Sequence, residues 1–289
     1  MLGWTLRRLP GDAPELLYTR VLRPRPLRAA ANAMLRRLLP PRVALPEGDL
    51  ALNLDDPVVS GALALGVYER QVSACFRRAL RPGMTVVDVG ANLGYYSVIA
   101  LGGTAPDGRV VAFEPDPANR ALLAANLAPF GARALVRPEA VADGAGAGTL
   151  YLHPDNKGKH SLLASAELGG GVPVATVALD AALAVLGVTP VHLVKIDIEG
   201  AEPRALAGMA ATLSRDRPLV FLECAPRRWT RAGHDAARVL AGLARQGYAL
   251  SLIDEGRGGE APVTPEGVAS LRGRDPYVNL IARPLGRTP

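Results

Sequence analysis

A chain of 289 residues with 49% apolar side chains can bury one substantial core, and with 4% aromatic residues and no stacking platform interleaved with its arginine run a nucleic-acid partner is not expected. The formal charge of +6 is more than accounted for by nine arginines among residues 1–45, opposed there only by Asp12 and Glu15, a segment suited to a solvated helix face or weak contact with an anionic surface. Two separated cysteines, Cys75 and Cys224, exclude a disulfide framework, and with no spanning apolar run and no export-signal pattern in "MLGWTLRRLP" a cytoplasmic protein is expected.

Residues 1–80 read as a loosely organised helical extension cut into short pieces by "RVLRPRPLR" and "LLPPRVALPEG", and residues 81–289 as the main domain. "MTVVDVG" is the first strand of that domain, followed by "NLGYYSVIALGG", where Leu93, Tyr96, Ile99 and Ala100 share a helix face. "RVVAFEP" is a second strand, "DPANRALLAANLAPFG" a helix capped by Asp116 and ended by Gly131, and "ARALVRPEAV" a third strand. After an insertion, the strands "VHLVKID" and "PLVFLEC" flank the helix "AEPRALAGMAATL". "HDAARVLAGLARQG" and "YALSLID" follow, and "YVNLIARP" closes the chain as an antiparallel edge strand. The alternation implies an α/β fold, a mostly parallel sheet with helices on both faces.

In such a sheet ligands bind beyond the carboxyl ends of the strands, where strand order reverses. Asp88, Glu114, Asp197 and Glu223 all fall near predicted strand ends, and a buried acid there needs a partner or a ligand. In "DVGANLGYYS" Gly90 and Gly94 open the turn to close approach, Asn92 can offer its amide to a carboxylate, and Asp88, Ala91 and Tyr96 complete the candidate cofactor contacts. The stretch has two glycines and departs from the G-x-G-x-x-G dinucleotide fingerprint, which argues against a nicotinamide oxidoreductase. In "FEPDP" Glu114, followed by Pro115, is placed to accept hydrogen bonds from two ribose hydroxyls. Asp143, after the third strand, is suited either to the adenine amino group or to a simple turn before Gly144.

"VVDVGANLGYYSVIA", "VVAFEPDPANRALLAANL" and "LVKIDIEGAEPRALAGM", in this order and spacing, resemble the FkbM family of S-adenosylmethionine-dependent methyltransferases over residues 84 to about 225. The resemblance implies the Rossmann-like class I fold, a seven-stranded sheet with a reversed last strand. It also implies S-adenosylmethionine as cofactor and methyl transfer to a hydroxyl of a sugar or polyketide-type small molecule. The insertion matches a polar N-x-G-x-x-S-L element of the family at Asn156, Gly158, Ser161 and Leu162, expected over the mouth of the site.

Methyl transfer to an alcohol needs alignment and a proton acceptor. Asp197 is the leading candidate base and His160 the alternative. Lys195, on the same side of its strand as Asp197, pairs with it, contacts substrate, or simply reaches past the sheet edge. Glu199 is a further candidate catalytic group, and both Glu199 and Glu202 also suit a helix N-terminus. Asp197 and Glu223 could bind Mg²⁺ through carboxylates and water, but no His or Cys cluster has ligand spacing and no metal is expected. The other functional class left open is a non-catalytic adenosine-binding scaffold.

Overall fold

A computed structural model of the chain describes residues 37–153, 156–165, 168–271 and 277–286, so the arginines ahead of residue 37, and the surface contact expected of them, lie outside the described residues. No helix among the described residues is long and apolar enough to cross a membrane. The first elements are a hairpin, β1 (Arg42–Leu45) and β2 (Gly48–Ala51), and two helices, α1 (Val59–Leu65) and α2 (Arg70–Ala79). The hairpin departs from the helical extension expected here. Pro40, Pro41 and Pro46 bound a four-residue run in which only Val43 is buried, a pattern that suits a strand better than a helical turn. Nor is the segment loose, because Leu50, Leu63, Val72 and Phe76 share one core with Val86, Ile99 and Leu123. The core therefore crosses the boundary expected near residue 80.

β3 (Thr85–Val89), α3 (Tyr95–Gly103), β4 (Arg109–Phe113), α4 (Pro117–Leu127) and β5 (Ala134–Arg137) form the first parallel half. The side chain of Asp116 caps α4 by accepting the Asn119 amide at 2.8 Å, with Pro117 at the first helical position. The helix stops at Leu127, earlier than expected, and a 3-10 turn containing Pro129 carries the chain through Gly131 at φ 57°. The expected third strand also divides. Beyond Pro138, β6 (Ala140–Ala142) leaves the main sheet and pairs with β8 (Gly171–Ala178), which also pairs with β7 (Gly146–Tyr151), in a separate three-stranded sheet.

The second half comprises α5 (Leu179–Leu186), β9 (Leu193–Ile196), α6 (Glu202–Ala207), α7 (Ala210–Arg215), β10 (Leu219–Cys224), α8 (Pro226–Arg231), α9 (Ala236–Arg245), β11 (Tyr248–Ile253), β12 (Glu260–Pro262), α10 (Pro265–Ala269) and β13 (Val278–Pro284). Two helices, α6 and α7, stand where the sequence pattern predicts a single one. The break falls at Gly208, where a Cβ would lie 2.0 Å from the Ala142 carbonyl oxygen, so the helix can press against β6 only through a glycine.

The main sheet has the order β5-β4-β3-β9-β10-β13-β11-β12. Its first five strands are parallel, and β13 runs antiparallel between β10 and β11. β13 is therefore an interior strand and not the expected edge. Leu280, Ile281 and Ala282 are all buried, as a strand covered on both faces requires. β12 adds an eighth strand to the seven expected. Strand alternation divides the core: Val87, Val194 and Leu222 pack with Leu183, Leu206 and Leu240 on one face, while Val86, Leu193 and Phe221 pack with Phe76, Ile99 and Leu123 on the other. The order reverses between β3 and β9, so the crevice for a ligand lies over their carboxyl ends.

Candidate active site

The turn after β3 is shaped by backbone freedom. Gly90 has φ 84°, and a Cβ there would sit 2.1 Å from the Asp197 carbonyl oxygen, so glycine is what brings the ends of β3 and β9 together. Asn92, at φ 52°, takes the left-handed conformation that asparagine tolerates. The Asn92 amide donates to Glu114 Oε2 at 2.8 Å and the Asp116 amide to Oε1 at 2.9 Å, fixing the carboxylate at the end of β4. Burial pushes the Glu114 carboxyl up to about 7 against the pull of these two amides.

A cleft opens over these strand ends. Asp88, Gly90, Ala91, Asn92 and Tyr96 line it from the first turn, Glu114 and Pro115 from the second, and Lys195 and Asp197 from β9 and the residue after it. Lys157, Gly158, His160, Ser161 and Leu162 of the insertion form another wall. The insertion turn is tied down on two sides: the Lys157 amide donates to Asp56 Oδ2 at 2.9 Å, and Asn119 Nδ2 donates to the Lys157 carbonyl at 3.3 Å. The residues fit a nucleoside cofactor bearing a cationic or N–H-rich tail. Glu114 retains lone pairs for hydroxyl donors, while Asp88 uses Oδ2 to accept the Ser97 hydroxyl at 2.7 Å and leaves its buried Oδ1 without a hydrogen-bond partner.

Lys195 and Asp197 answer why charge interrupts a buried strand. Their side chains project from the face that carries Asp88, and Lys195 Nζ donates to Asp197 Oδ2 at 2.8 Å while lying 4.4 Å from the centre of the Tyr96 ring. Burial opposes the ammonium, yet Asp197, Glu69 and Asp88 hold its pKa above the ordinary lysine value. Burial also opposes the Asp197 anion, and Lys195 outweighs it, so that carboxyl titrates below the usual aspartate range. Glu202 fixes the loop after β9, since its Oε1 accepts the amides of Ile198 and Gly200, each at 3.0 Å, and its Oε2 accepts Trp229 Nε1 at 2.7 Å.

Four expectations change. His160 lines the cleft, but its Nδ1 accepts the His153 amide at 3.0 Å, which leaves the proton of the neutral ring on Nε2, and burial depresses its pKa to about 4. It is a donor to the cleft and not a base. Glu199 does not line the cleft; its carboxylate pairs with Arg228 of α8, and its carbonyl accepts the Ser161 hydroxyl at 2.9 Å. Asp143 also lies outside the lining, its half-exposed carboxylate held by Arg204 at 2.7 Å, and the wall expected of it is made by Glu139, Ala140 and Val141. Gly94 makes room for Leu123, which a Cβ would meet at 2.8 Å, and does not line the cleft either.

Glu139, Tyr68, Glu69 and Arg228 are the residues of this region that sequence reasoning missed. Carboxylate oxygens of Asp197, Glu199 and Glu223 lie within 4.8 Å of one another, a spacing open to a cation. The Arg228 guanidinium supplies positive charge to Glu199 and, at 3.4 Å, to Glu223. Burial, with Asp197 and Glu199 adjacent, keeps the Glu223 carboxyl well above the usual range.

Comparison with known proteins places these features in one family. Residues 88–250 match the model of the methyltransferase FkbM domain, a stretch that includes both cofactor-side turns and the Lys195–Asp197 pair. A 31-O-demethyl-FK506 methyltransferase, FkbM, of Streptomyces tacrolimicus is 33% identical over 159 residues, covering 45% of this chain and 61% of that protein. Among solved structures, a methyltransferase FkbM from Methylobacillus flagellatus is 17% identical with a TM-score of 0.45, covering 89% of this chain and 59% of its own. An O-methyltransferase from Bacillus cereus in complex with SAH is 14% identical with a TM-score of 0.41, covering 93% of this chain and 94% of its own. With more than half of its length matched by the domain model, the chain belongs to the FkbM family of S-adenosylmethionine-dependent methyltransferases.

Proposed function

We propose that the chain transfers a methyl group from S-adenosylmethionine to a hydroxyl oxygen of a small molecule, a sugar, glycoconjugate or polyketide-type compound. The observation that carries this reading is the presence in one cleft of Glu114, fixed by two amides with lone pairs to spare, and Asp197, held ionised by Lys195. The 31-O-demethyl-FK506 methyltransferase of Streptomyces supports oxygen as the acceptor atom.

S-adenosylmethionine, when bound, supplies an electrophilic methyl group on a sulfonium whose thioether leaves without assistance. Glu114 holds the ribose hydroxyls, and Asp88 Oδ1 gains the donor it lacks. Alignment of the acceptor oxygen within the cleft supplies about 7 to 11 kcal/mol of barrier reduction. Asp197 accepts the acceptor's proton. An alcohol oxygen grows strongly acidic as it takes up a methyl group, so a carboxylate of low basicity suffices late in the reaction. Until then Lys195 keeps Asp197 unprotonated.

Glu114→Ala removes a charged acceptor of two hydrogen bonds and is expected to weaken S-adenosylhomocysteine binding by about 10- to 100-fold. The wild-type affinity should also depend on pH. Below about 7 Glu114 holds a proton and offers fewer lone pairs, so binding tightens as pH rises through about 7, and Glu114→Gln makes the profile flat. Isothermal calorimetry with S-adenosylhomocysteine tests both, and tight, pH-independent binding by the alanine variant would remove Glu114 from the site. Transfer of labelled methyl from S-adenosylmethionine to a panel of sugars and macrolides tests the reaction itself. Cofactor binding with methylation confined to nitrogen or carbon acceptors would overturn the oxygen assignment.

A further inference from the structure

The sheet face that carries Asp88, Lys195 and Asp197 also packs against Phe76 of α2 and Ile99 of α3, and the residue immediately before α2 is Glu69. A carboxylate in that position ordinarily serves the first amides of its own helix. Here Glu255 serves them instead, its two oxygens accepting the amides of Gln71 at 3.1 Å and Val72 at 3.0 Å. Glu69 makes no capping bond and adopts a left-handed backbone, φ 39° and ψ 53°, a conformation unfavourable for a residue with a Cβ. Its side chain instead accepts the Tyr96 hydroxyl at 2.6 Å. Tyr96 lines the cleft, and its ring carries Lys195 Nζ, the partner of Asp197. One ammonium thus serves Asp197 directly and Glu69 across the tyrosine.

We propose that Glu69 is a positioning residue for the methyl transfer proposed above, on which this inference rests: by sharing Lys195 with Asp197 it sets how strongly Asp197 attracts the acceptor's proton. An ionised Glu69 draws on the ammonium and leaves Asp197 the stronger base. A protonated Glu69 leaves Lys195 to Asp197 alone. Burial raises the Glu69 carboxyl to about 7; Asp197 and Glu255 add to the rise, while Lys195 and the Tyr96 hydroxyl oppose it. Tyr68 and Tyr277 also face Glu69, and burial holds both protonated at neutral pH. The exchange therefore falls near neutrality. Glu69 precedes the region matched by the family model, so this control belongs to the N-terminal segment of the chain.

Carboxyl-13C labelling of aspartate and glutamate in the full chain, followed by NMR across a pH titration, tests the coupling. Asp197→Asn and Glu69→Gln assign the two resonances. In the wild type the Asp197 resonance should show a second inflection near pH 7, where Glu69 itself titrates. Glu199, within 4.8 Å of Asp197 and itself raised by burial to about 7, adds an inflection of its own, so the comparison is made in a Glu199→Gln background, where Glu69→Gln should remove the inflection that remains. Tyr96→Phe, which deletes the donor that favours ionised Glu69, should move it to higher pH. An Asp197 resonance that is flat through neutral pH in the Glu199→Gln background, or an inflection there that survives Glu69→Gln with only the melting temperature lowered, would make Glu69 merely structural and end the proposal. Calorimetry with S-adenosylhomocysteine on the same samples separates the two readings. A wild type that binds it without the coupling loses this inference alone, and one that does not bind it loses the methyltransferase reading and the positioning role together.

Discussion

Asp197→Asn should lower methyl-transfer turnover by about 10²- to 10⁴-fold, the range supplied by a positioned proton acceptor, while S-adenosylhomocysteine affinity changes far less. The substitution preserves shape and removes only charge and proton affinity. Lys195 then faces Glu69 and Asp88 without its nearest partner, which costs some stability but leaves the Glu114 contacts in place. Initial rates with labelled S-adenosylmethionine, paired with calorimetry, check the split. Turnover within a few-fold of wild type, or a loss confined to cofactor affinity, would show that the proton leaves by another route. His160→Ala should have the smaller effect of the two, because the ring nitrogen facing the His153 amide is already engaged as an acceptor.

Glu202→Ala should be the most destabilising single change in the loop after β9. Glu202 is fully buried, and its removal strands the amides of Ile198 and Gly200 and the Trp229 indole N–H at once. At about 1–3 kcal/mol for each unsatisfied buried donor, partly relieved by water, a loss of about 3–5 kcal/mol is expected in equilibrium urea unfolding. The loop holds Glu199 at φ 56°, a left-handed conformation that a residue with a Cβ keeps only under an external hold, so Asp197 loses its orientation as well. A cost under 1 kcal/mol would mean that the loop is fixed by packing alone.

The acids at strand ends were legible because each interrupts a short apolar run at the point where a parallel sheet exposes its ligand crevice. Asp88, Glu114 and Asp197 could be placed that way, and the structure brings all three to one cleft. Glu139 was hidden by reading "ARALVRPEAV" as one strand, although Pro138 marks the division between β5 and β6. Glu69 and Arg228 reach the site from α2's start and from α8, with no local periodicity to report which distant carboxylate or hydroxyl they meet. The tautomer of His160 depends on the amide of His153, seven residues away along a loop whose path periodicity does not reveal. β13 read correctly as antiparallel, but its place inside the sheet is a matter of strand order, which alternating burial alone does not specify.

A crystal structure of the protein with S-adenosylhomocysteine bears most directly on the whole account. The ribose hydroxyls should meet Glu114, the amino acid tail should reach Asp88 Oδ1, and the sulfur should point to the side of the cleft where Asp197 stands. A nucleoside bound away from the β3–β9 crevice, or bound there with its sulfur turned from Asp197, would contradict it.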